Sequence, residues 1–381
     1  ADLLLYPYAS FYILFLIHIM THTQTITPKK RINSIDALRG FALIGIMLLH
    51  CMERFDLTLA PVVESPFWQA IDTAVYDSLY FLFSGKSYAM FSLLFGLSFF
   101  MQMESQAAKG VDFRGRFLWR LALLFLFGYI NGLVYMGEFF MVYAVLGVFL
   151  IPLYKVSTRW LLVLCILLFL QIPAVISFVS LLSDNVANEP TAAAADVFIN
   201  GSLMDVLSFN TFDGQSAKCL WVFNNFRYLQ LLGLFIAGML IGRQGIHKSE
   251  EKMVKYSRLF LPYCLAFWAV FYAVAFLLPV WGVDGFALRV GQTLFKTYGN
   301  LGQMMVYFCG FTLLYYRYKG QKVLDRIAPV GRMSVTNYMA QSIVGVSLFY
   351  GFGGNFAVEF NYLQSFLLGA AFCVIQIAYS N

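Results

Sequence analysis

The sequence predicts an all-α polytopic membrane bundle with about ten hydrophobic helices crossing a bilayer and no soluble domain of any size. Three observations carry that prediction. Of 381 residues, 60% are hydrophobic and 12% charged, with a mean hydropathy of +0.71, whereas an ordinary soluble domain carries about 25% charged residues. Burying that much apolar surface inside a water-soluble particle of this size conflicts with surface-to-volume scaling, so it must face lipid. The apolar residues also fall into runs of spanning length, and the basic residues alternate from loop to loop.

The runs lie at 35–52, 80–103, 118–134, 139–154, 160–182, 228–241, 259–280, 298–316, 335–349 and 362–379. Each is near the roughly 20 residues that cross a hydrocarbon core, the shorter ones relying on snorkelling flanks. Lys and Arg test the path independently, because basic residues in short loops are retained on the cytoplasmic side. Alternate loops hold Lys29, Lys30 and Arg31; then Lys109, Arg114, Arg116 and Arg120; then Lys155 and Arg159; then Arg243, Lys248, Lys252, Lys255 and Arg258; and finally Arg317, Lys319, Lys322, Arg326 and Arg332. The loops between them are acidic or neutral, with Glu53, Asp56, Glu64, Glu138, Asp184, Glu189, Asp196, Asp205, Asp213, Asp284 and Glu359. This pattern puts both ends of the ten-helix unit in the cytoplasm.

The domain reading is a segment 1–33, comprising a hydrophobic leader and a basic stretch, followed by one transmembrane domain, 34–381. The leader, 3–20, lacks the basic start and small-residue cleavage site of a signal peptide. Met20 is therefore read as a candidate natural start, with the alternative of an extra span left open. The longest outer loop, from Ser183 to about Phe226, is expected to be turn-rich over 200–214 and to cap a cavity. No fixed-period repeat is visible.

The net charge of +6 is scattered through short loops instead of forming a stripe, which argues against nucleic acid. The six cysteines form no CxxC pair and no Cys/His cluster at metal-ligand spacing, so no metal site is expected. They read as small apolar packers; only Cys51 and Cys219 fall near a common membrane face.

The first helix of the unit is the richest in chemistry. Ser34 suits an N-cap and Asp36 the first turn, where a carboxylate meets the positive end of the helix dipole. Arg39 and His50 are eleven residues apart, which at about 100° and 1.5 Å per residue puts both on one face about 16 Å apart, with Asp36 on the same face. Ionisable groups are costly in a membrane helix and usually face a protein interior or a wet cavity. For Asp36 and Arg39 an anchoring or capping role stands beside a chemical one. His50, deep in the run, is read either as a general base for a hydroxyl or amine nucleophile or as a satisfied interfacial histidine. The only other His inside an apolar stretch is His18, in the leader.

Three weaker constellations follow. Lys86, in Ser84-Gly85-Lys86, is drawn either toward a cavity or to the interface. Glu138, after Gly137, either orients His50 or recognises an acceptor, or is a solvated loop acid. Ser334, Asn337 and Gln341 share a helix face, a stripe that joins helices at about 0.6 to 2 kcal/mol per contact or touches substrate.

The stretches Ser34 to Gly40, Gly85-Lys86 through Gly96, Gly137-Glu138 with Tyr143-Ala144, and Gly331-Arg332 through Asn337-Tyr338 and Gln341-Ser342 resemble the YeiB-like family of bacterial membrane proteins, domain of unknown function 418. The resemblance runs from about Arg31 to the end of the chain. The family's usual closing Gly-Pro-x-Glu-Trp motif is missing, so the chain is expected to be truncated after the tenth helix. The Asp36 to Gly40 stretch is similar to the start of the heparan glucosaminide N-acetyltransferases, and Arg39 with His50 resembles the Arg-x10-His motif of membrane O-acyltransferases. Many YeiB-like sequences carry Asn at the His50 position.

The resemblance implies a multi-pass enzyme of the bacterial inner membrane, surrounded by its lipids, that moves an acyl group from cytosolic acyl-CoA to a glycan or other acceptor at the outer face. By it, His50 and Glu138 are the catalytic candidates. Asp36, Arg39, Lys86, Arg332, Asn337 and Gln341 are the donor- or substrate-binding candidates. Acyl-CoA would be a cosubstrate, and no permanently bound cofactor is expected. Two other readings stay open: a transporter or flippase of a small or lipid-linked substrate, and a non-catalytic membrane scaffold. The sequence leaves the acceptor, the acyl group and the oligomeric state open.

Overall fold

The computed structural model describes residues 32–55, 57, 63, 65–181, 193–318 and 320–381. The leader, His18 and the basic segment Lys29 to Arg31 lie outside the described residues. The body of the protein is one compact unit, Ser34–Asn381.

That unit is helical, with no strand among the described residues. In chain order the helices are α1 (Asn33–Met52), α2 (Pro66–Phe83), α3 (Ser87–Ala107), α4 (Arg114–Val134), α5 (Phe140–Leu153), α6 (Thr158–Phe169), α7 (Ile172–Leu181), α8 (Ala193–Asn200), α9 (Leu203–Asn224), α10 (Arg227–Arg243), α11 (Glu250–Leu277), α12 (Gly285–Tyr316), α13 (Gln321–Leu324), α14 (Ala328–Arg332), α15 (Ser334–Phe349), α16 (Phe356–Glu359) and α17 (Tyr362–Ser380). Among the described residues each of the ten apolar runs falls mostly on helix. Among the described residues, five stretches are long and apolar enough to cross a membrane: α1, α4, Thr158–Ser180, α11 and α17. The bent pair α9 and α10, which meet at 71°, makes a sixth if taken as one span.

The outward faces explain why such a bundle belongs in lipid. Trp119, Phe149, Trp160, Ile166, Phe260 and Phe276 are each about half exposed or more. Soluble monomers rarely carry apolar surface on this scale, and a helix satisfies its own backbone in hydrocarbon.

Two departures from the sequence reading matter. The run 80–103 is broken at Ser84 to Lys86, where Gly85 takes φ +76 and α2 gives way to α3. The stretch expected to be a turn-rich loop over 200–214 is mostly helix α9. Its start is fixed by a capping box in which the Ser202 hydroxyl accepts from the Asp205 N–H and Asp205 accepts from the Ser202 N–H. Its Asn210 and Gln215 donate to the carbonyls of Leu133 and Gly132 on α4. Polar residues that read as a loop are thus used as helix-to-helix ties. All six cysteines are free thiols, and four of them, Cys51 included, are buried.

Close packing comes from glycines. Gly96 on α3 and Gly238 on α10 face each other so that a Cβ on the first would overlap the Phe235 carbonyl, and one on the second the Leu93 carbonyl. A similar approach seats α1 on the 327–331 turn, where a Cβ on Gly40 would overlap the Ile327 carbonyl and one on Gly331 the Asp36 carbonyl. Small residues let membrane helices approach backbone to backbone, where dispersion and weak polar contacts accumulate.

Candidate functional site

Helix α1 turns its polar seam into the protein. Asp36 and Arg39 form an ion pair at 2.8 Å, with side chains 14% and 18% exposed. Arg39 also donates to the Ser98 hydroxyl on α3 at 2.7 Å. The guanidinium is thus positioned by groups on two helices, close to the α1 end that Gly40 and Gly331 hold against the 327–331 turn.

His50 sits three turns further along, where α1 ends. The chain then makes an abrupt turn, with both Arg54 (φ 49) and Phe55 (φ 55) in the left-handed region. Two successive residues with side chains in that region are strained, and such strain persists only where the surroundings enforce it. Here Arg54 is buried and donates to the Phe360 carbonyl at 2.7 Å, with its guanidinium over the Tyr362 ring. The Phe55 ring fills the space left by the missing Cβ of Gly345. The outcome is that Glu53 and Phe55 fold back over the imidazole.

The Nδ1 atom of His50 lies 3.1 Å from the Tyr135 hydroxyl and 3.7 Å from a Glu53 carboxylate oxygen. The rings of Phe55 and Tyr135 flank it, each with its centroid 5.4 Å away. Both polar neighbours approach Nδ1, so a proton held there leaves Nε2 as the basic nitrogen. The arrangement can therefore hold the imidazole in one orientation.

Glu138 stands elsewhere. It follows Tyr135 by one turn of chain, but its carboxylate is buried against the start of α5, accepting from the Phe140 and Met141 N–H groups. Gly128 makes room for it. Of the two roles expected for Glu138, the described hydrogen bonds give it neither; they make it a helix cap, with Tyr135 and Glu53 beside His50. Burial pushes the Glu138 carboxyl up to about 7, with the charge of Lys218 and the backbone N–H groups opposing.

A pH dependence follows. A carboxyl raised from 4.5 to about 7 keeps its proton in the fold where the unfolded chain has lost it, so stability falls as pH rises through that window. The loss is at most roughly 3 kcal/mol, at 1.36 kcal/mol per pKa unit. Thermal unfolding in detergent is expected to show a midpoint that drops between pH 4.5 and 7 in the parent and is flatter in Glu138→Gln; equal slopes would show that another group governs the transition.

The remaining predicted residues separate into two groups. Lys86 is buried at the break between α2 and α3. It donates to the Tyr272 hydroxyl at 2.9 Å, over the rings of Phe81 and Tyr272, and Tyr272 in turn donates to Asn300 at 2.7 Å. Asn337 and Gln341 are buried among α1, α14, α15 and α17. Asn337 donates to the Val330 carbonyl at 2.9 Å, while Gln341 donates to the Leu43 carbonyl at 3.2 Å and to Gln376 at 2.9 Å. These contacts join helices. Arg332 is exposed at the end of α14.

Sequence reasoning missed Tyr135, Glu53 and Ser98, which surround His50 and Arg39. Glu53 was legible in principle as the acid three residues after His50. Tyr135 and Ser98 come from other helices, and nothing in their local sequence marks them.

Residues 241–381 match the family model described as a protein of unknown function, DUF418. The chain is 26% identical to the uncharacterized protein YxaH of Bacillus subtilis (strain 168), over 95% of this chain and 92% of that one. It is 26% identical to an uncharacterized 39.9 kDa protein in the amylase 3′ region of Bacillus acidopullulyticus, over 93% and 89%. It is also 26% identical to the uncharacterized protein YeiB of Escherichia coli (strain K12), over 85% of each chain. No solved structure matches.

Proposed function

We propose, for a chain that belongs to the YeiB-like family, a multi-pass protein of the bacterial cytoplasmic membrane that transfers an acyl group from cytosolic acyl-CoA to a glycan or other acceptor at the outer face. The observation that carries this reading is the inward seam of α1. Arg39 is held at one level by Asp36 and Ser98, and His50 at another by Tyr135 and Glu53.

In the step envisaged, His50 Nε2 takes the proton of an acceptor hydroxyl or amine as its oxygen or nitrogen bonds to the acyl carbon. The carbon–sulfur bond breaks, and the thiolate leaves as a thiol after taking up that proton. Glu53 and Tyr135 position the ring. Arg39 lies on the donor side, where its charge suits an anionic or polarised thioester.

The alternation of basic and acidic loops supports a path of ten passes, with both ends of the unit inside. Along it α6 with α7 is one interrupted crossing and α9 with α10, bent at 71°, another, and a break also separates α2 from α3. Those breaks favour a second reading, transport. Interrupted helices with polar groups at the break line substrate paths in carriers, and here the breaks hold Lys86, Gln171 and Arg227.

The two readings part in one experiment. Purified protein given acetyl-CoA and a panel of bacterial glycans is expected to release free thiol only when a suitable acceptor is present, at least tenfold above the thioester alone. No acceptor-dependent release, together with uptake of a labelled solute into vesicles lacking thioester, would replace transfer by transport.

A further inference from the structure

Helix α6 follows the short basic loop that holds Lys155 and Arg159. Beside it lies an open pocket of about 670 Å³, lined by Ser157, Thr158, Arg159, Trp160 and Val163. Arg159 and Trp160 are both exposed, Trp160 at 70%. Room for a ligand and an accessible cation therefore coincide.

Positive charge collects around this pocket without an answering acid. Lys155, two residues before Ser157, is exposed. Arg243, at the end of α10, reaches the pocket wall by donating to the Thr158 hydroxyl at 3.4 Å, and it also donates to the carbonyls of Tyr154 and Val156. Those acceptors are neutral, so they satisfy its N–H groups without cancelling its charge. Among the described residues no carboxylate lies within ion-pairing distance of Lys155, Arg159 or Arg243. Asp112, which feels the charge of Lys155, is taken by Arg114 at 2.6 Å.

Past the charges the wall turns apolar. Trp160, Val163, Leu167 and Leu170 recur at i, i+3, i+7 and i+10, an exposed stripe that runs about 15 Å down α6 to its end, at 1.5 Å per residue. Tryptophan is enriched at the level of lipid headgroups, and an apolar stripe beneath it suits an acyl chain. We infer that the pocket beside α6 binds an anionic phospholipid of the cytoplasmic leaflet, with its phosphate at Arg159 and Lys155 and one acyl chain against Trp160 and Val163. A soluble anion would use the charges and leave the apolar wall bare. A zwitterionic lipid brings a cation of its own into a neighbourhood that already holds three. The inference rests on the proposed order of passes, which puts the 155–159 loop on the cytoplasmic side, where the leaflet carries a negative surface potential. It is independent of acyl transfer.

The full chain would be placed in nanodiscs of phosphatidylcholine with a minor share of phosphatidylglycerol, re-extracted in mild detergent, and its retained lipids counted by mass spectrometry. A cation near an anionic lipid contributes about fivefold to binding, so phosphatidylglycerol is expected about fivefold or more above its share of the bilayer, and Arg159→Gln is expected to lose about that factor. Trp160→Ala, which leaves every charge in place, is expected to weaken retention severalfold. Both side chains are exposed, and an unfolding midpoint equal to the parent's shows each variant folded. Inorganic phosphate and coenzyme A are then added as competitors. Retention that neither displaces supports a lipid; displacement by either gives the pocket to a soluble anion and overturns the inference. Retention in proportion to the bilayer, or parent-like enrichment in either variant, overturns it as well.

Discussion

A His50→Ala chain is expected to lose acceptor-dependent thiol release by between about 10² and 10⁴, the range over which a positioned general base contributes. The expectation rests on the proposed transfer reaction and on the Nδ1 contacts to Tyr135 and Glu53. Removing the ring also empties space between Phe55 and Tyr135, so His50→Gln, which fills more of that space but is no base, should behave alike. Glu53→Gln keeps the imidazole and weakens only its orientation, which predicts a smaller loss, on the order of tenfold. The graded series is the informative result. Parent-like release by both His50 variants would remove the imidazole from the mechanism, whatever else the protein does.

Gly96→Val is expected to destabilise the protein by about 3 kcal/mol or more, at the upper end of overpacking effects. Most overpacking is relieved by moving a side chain. Here the obstacle is backbone, because the Phe235 carbonyl occupies the place of the missing Cβ, and the reciprocal approach of Gly238 to the Leu93 carbonyl leaves neither helix room to slide. Relief requires α3 and α10 to separate, which also draws Tyr88 away from Arg227 and Gln230. A contrasting position exists in Gly115, in the first turn of α4, where an added Cβ meets nothing within 4 Å. Gly115→Ala should be neutral or gain up to about 1 kcal/mol from helix propensity. Thermal unfolding in one detergent compares the two directly. Similar midpoints for Gly96→Val and the parent would show that the α3 to α10 crossing is looser than its geometry requires.

Helix positions were legible because hydrocarbon imposes a one-dimensional rule. Each apolar run had to become helix to satisfy its own backbone, so 35–52 emerged as α1 and 362–379 as α17 with boundaries shifted by two residues or fewer. The rule fails where a helix is interrupted. Ser84-Gly85-Lys86 is visible in the sequence as an interruption of the run 80–103, but not as the end of one helix and the start of another, and α9 is too polar to read as helix at all, since its Asn210 and Gln215 are turned toward α4. The same limit applies to the candidate site. One face of α1 placed Asp36, Arg39 and His50 in line, because helical periodicity is local. Glu138 shows the reverse, since its carboxylate was assigned by nearness to the outer end and is taken instead by N–H groups two and three residues along its own chain.

The sequence by itself determined the helical class, the membrane setting and the polar face of α1, since all three follow from hydrophobicity and the 3.6-residue repeat. Tertiary structure alone decided what that face meets: Ser98 beside Arg39, Tyr135 beside His50, and Tyr88 joined to Arg227 and Gln230 across the α3 to α10 seam. These partners come from helices tens of residues away, selected by which glycines let backbones touch, and no local pattern records that choice.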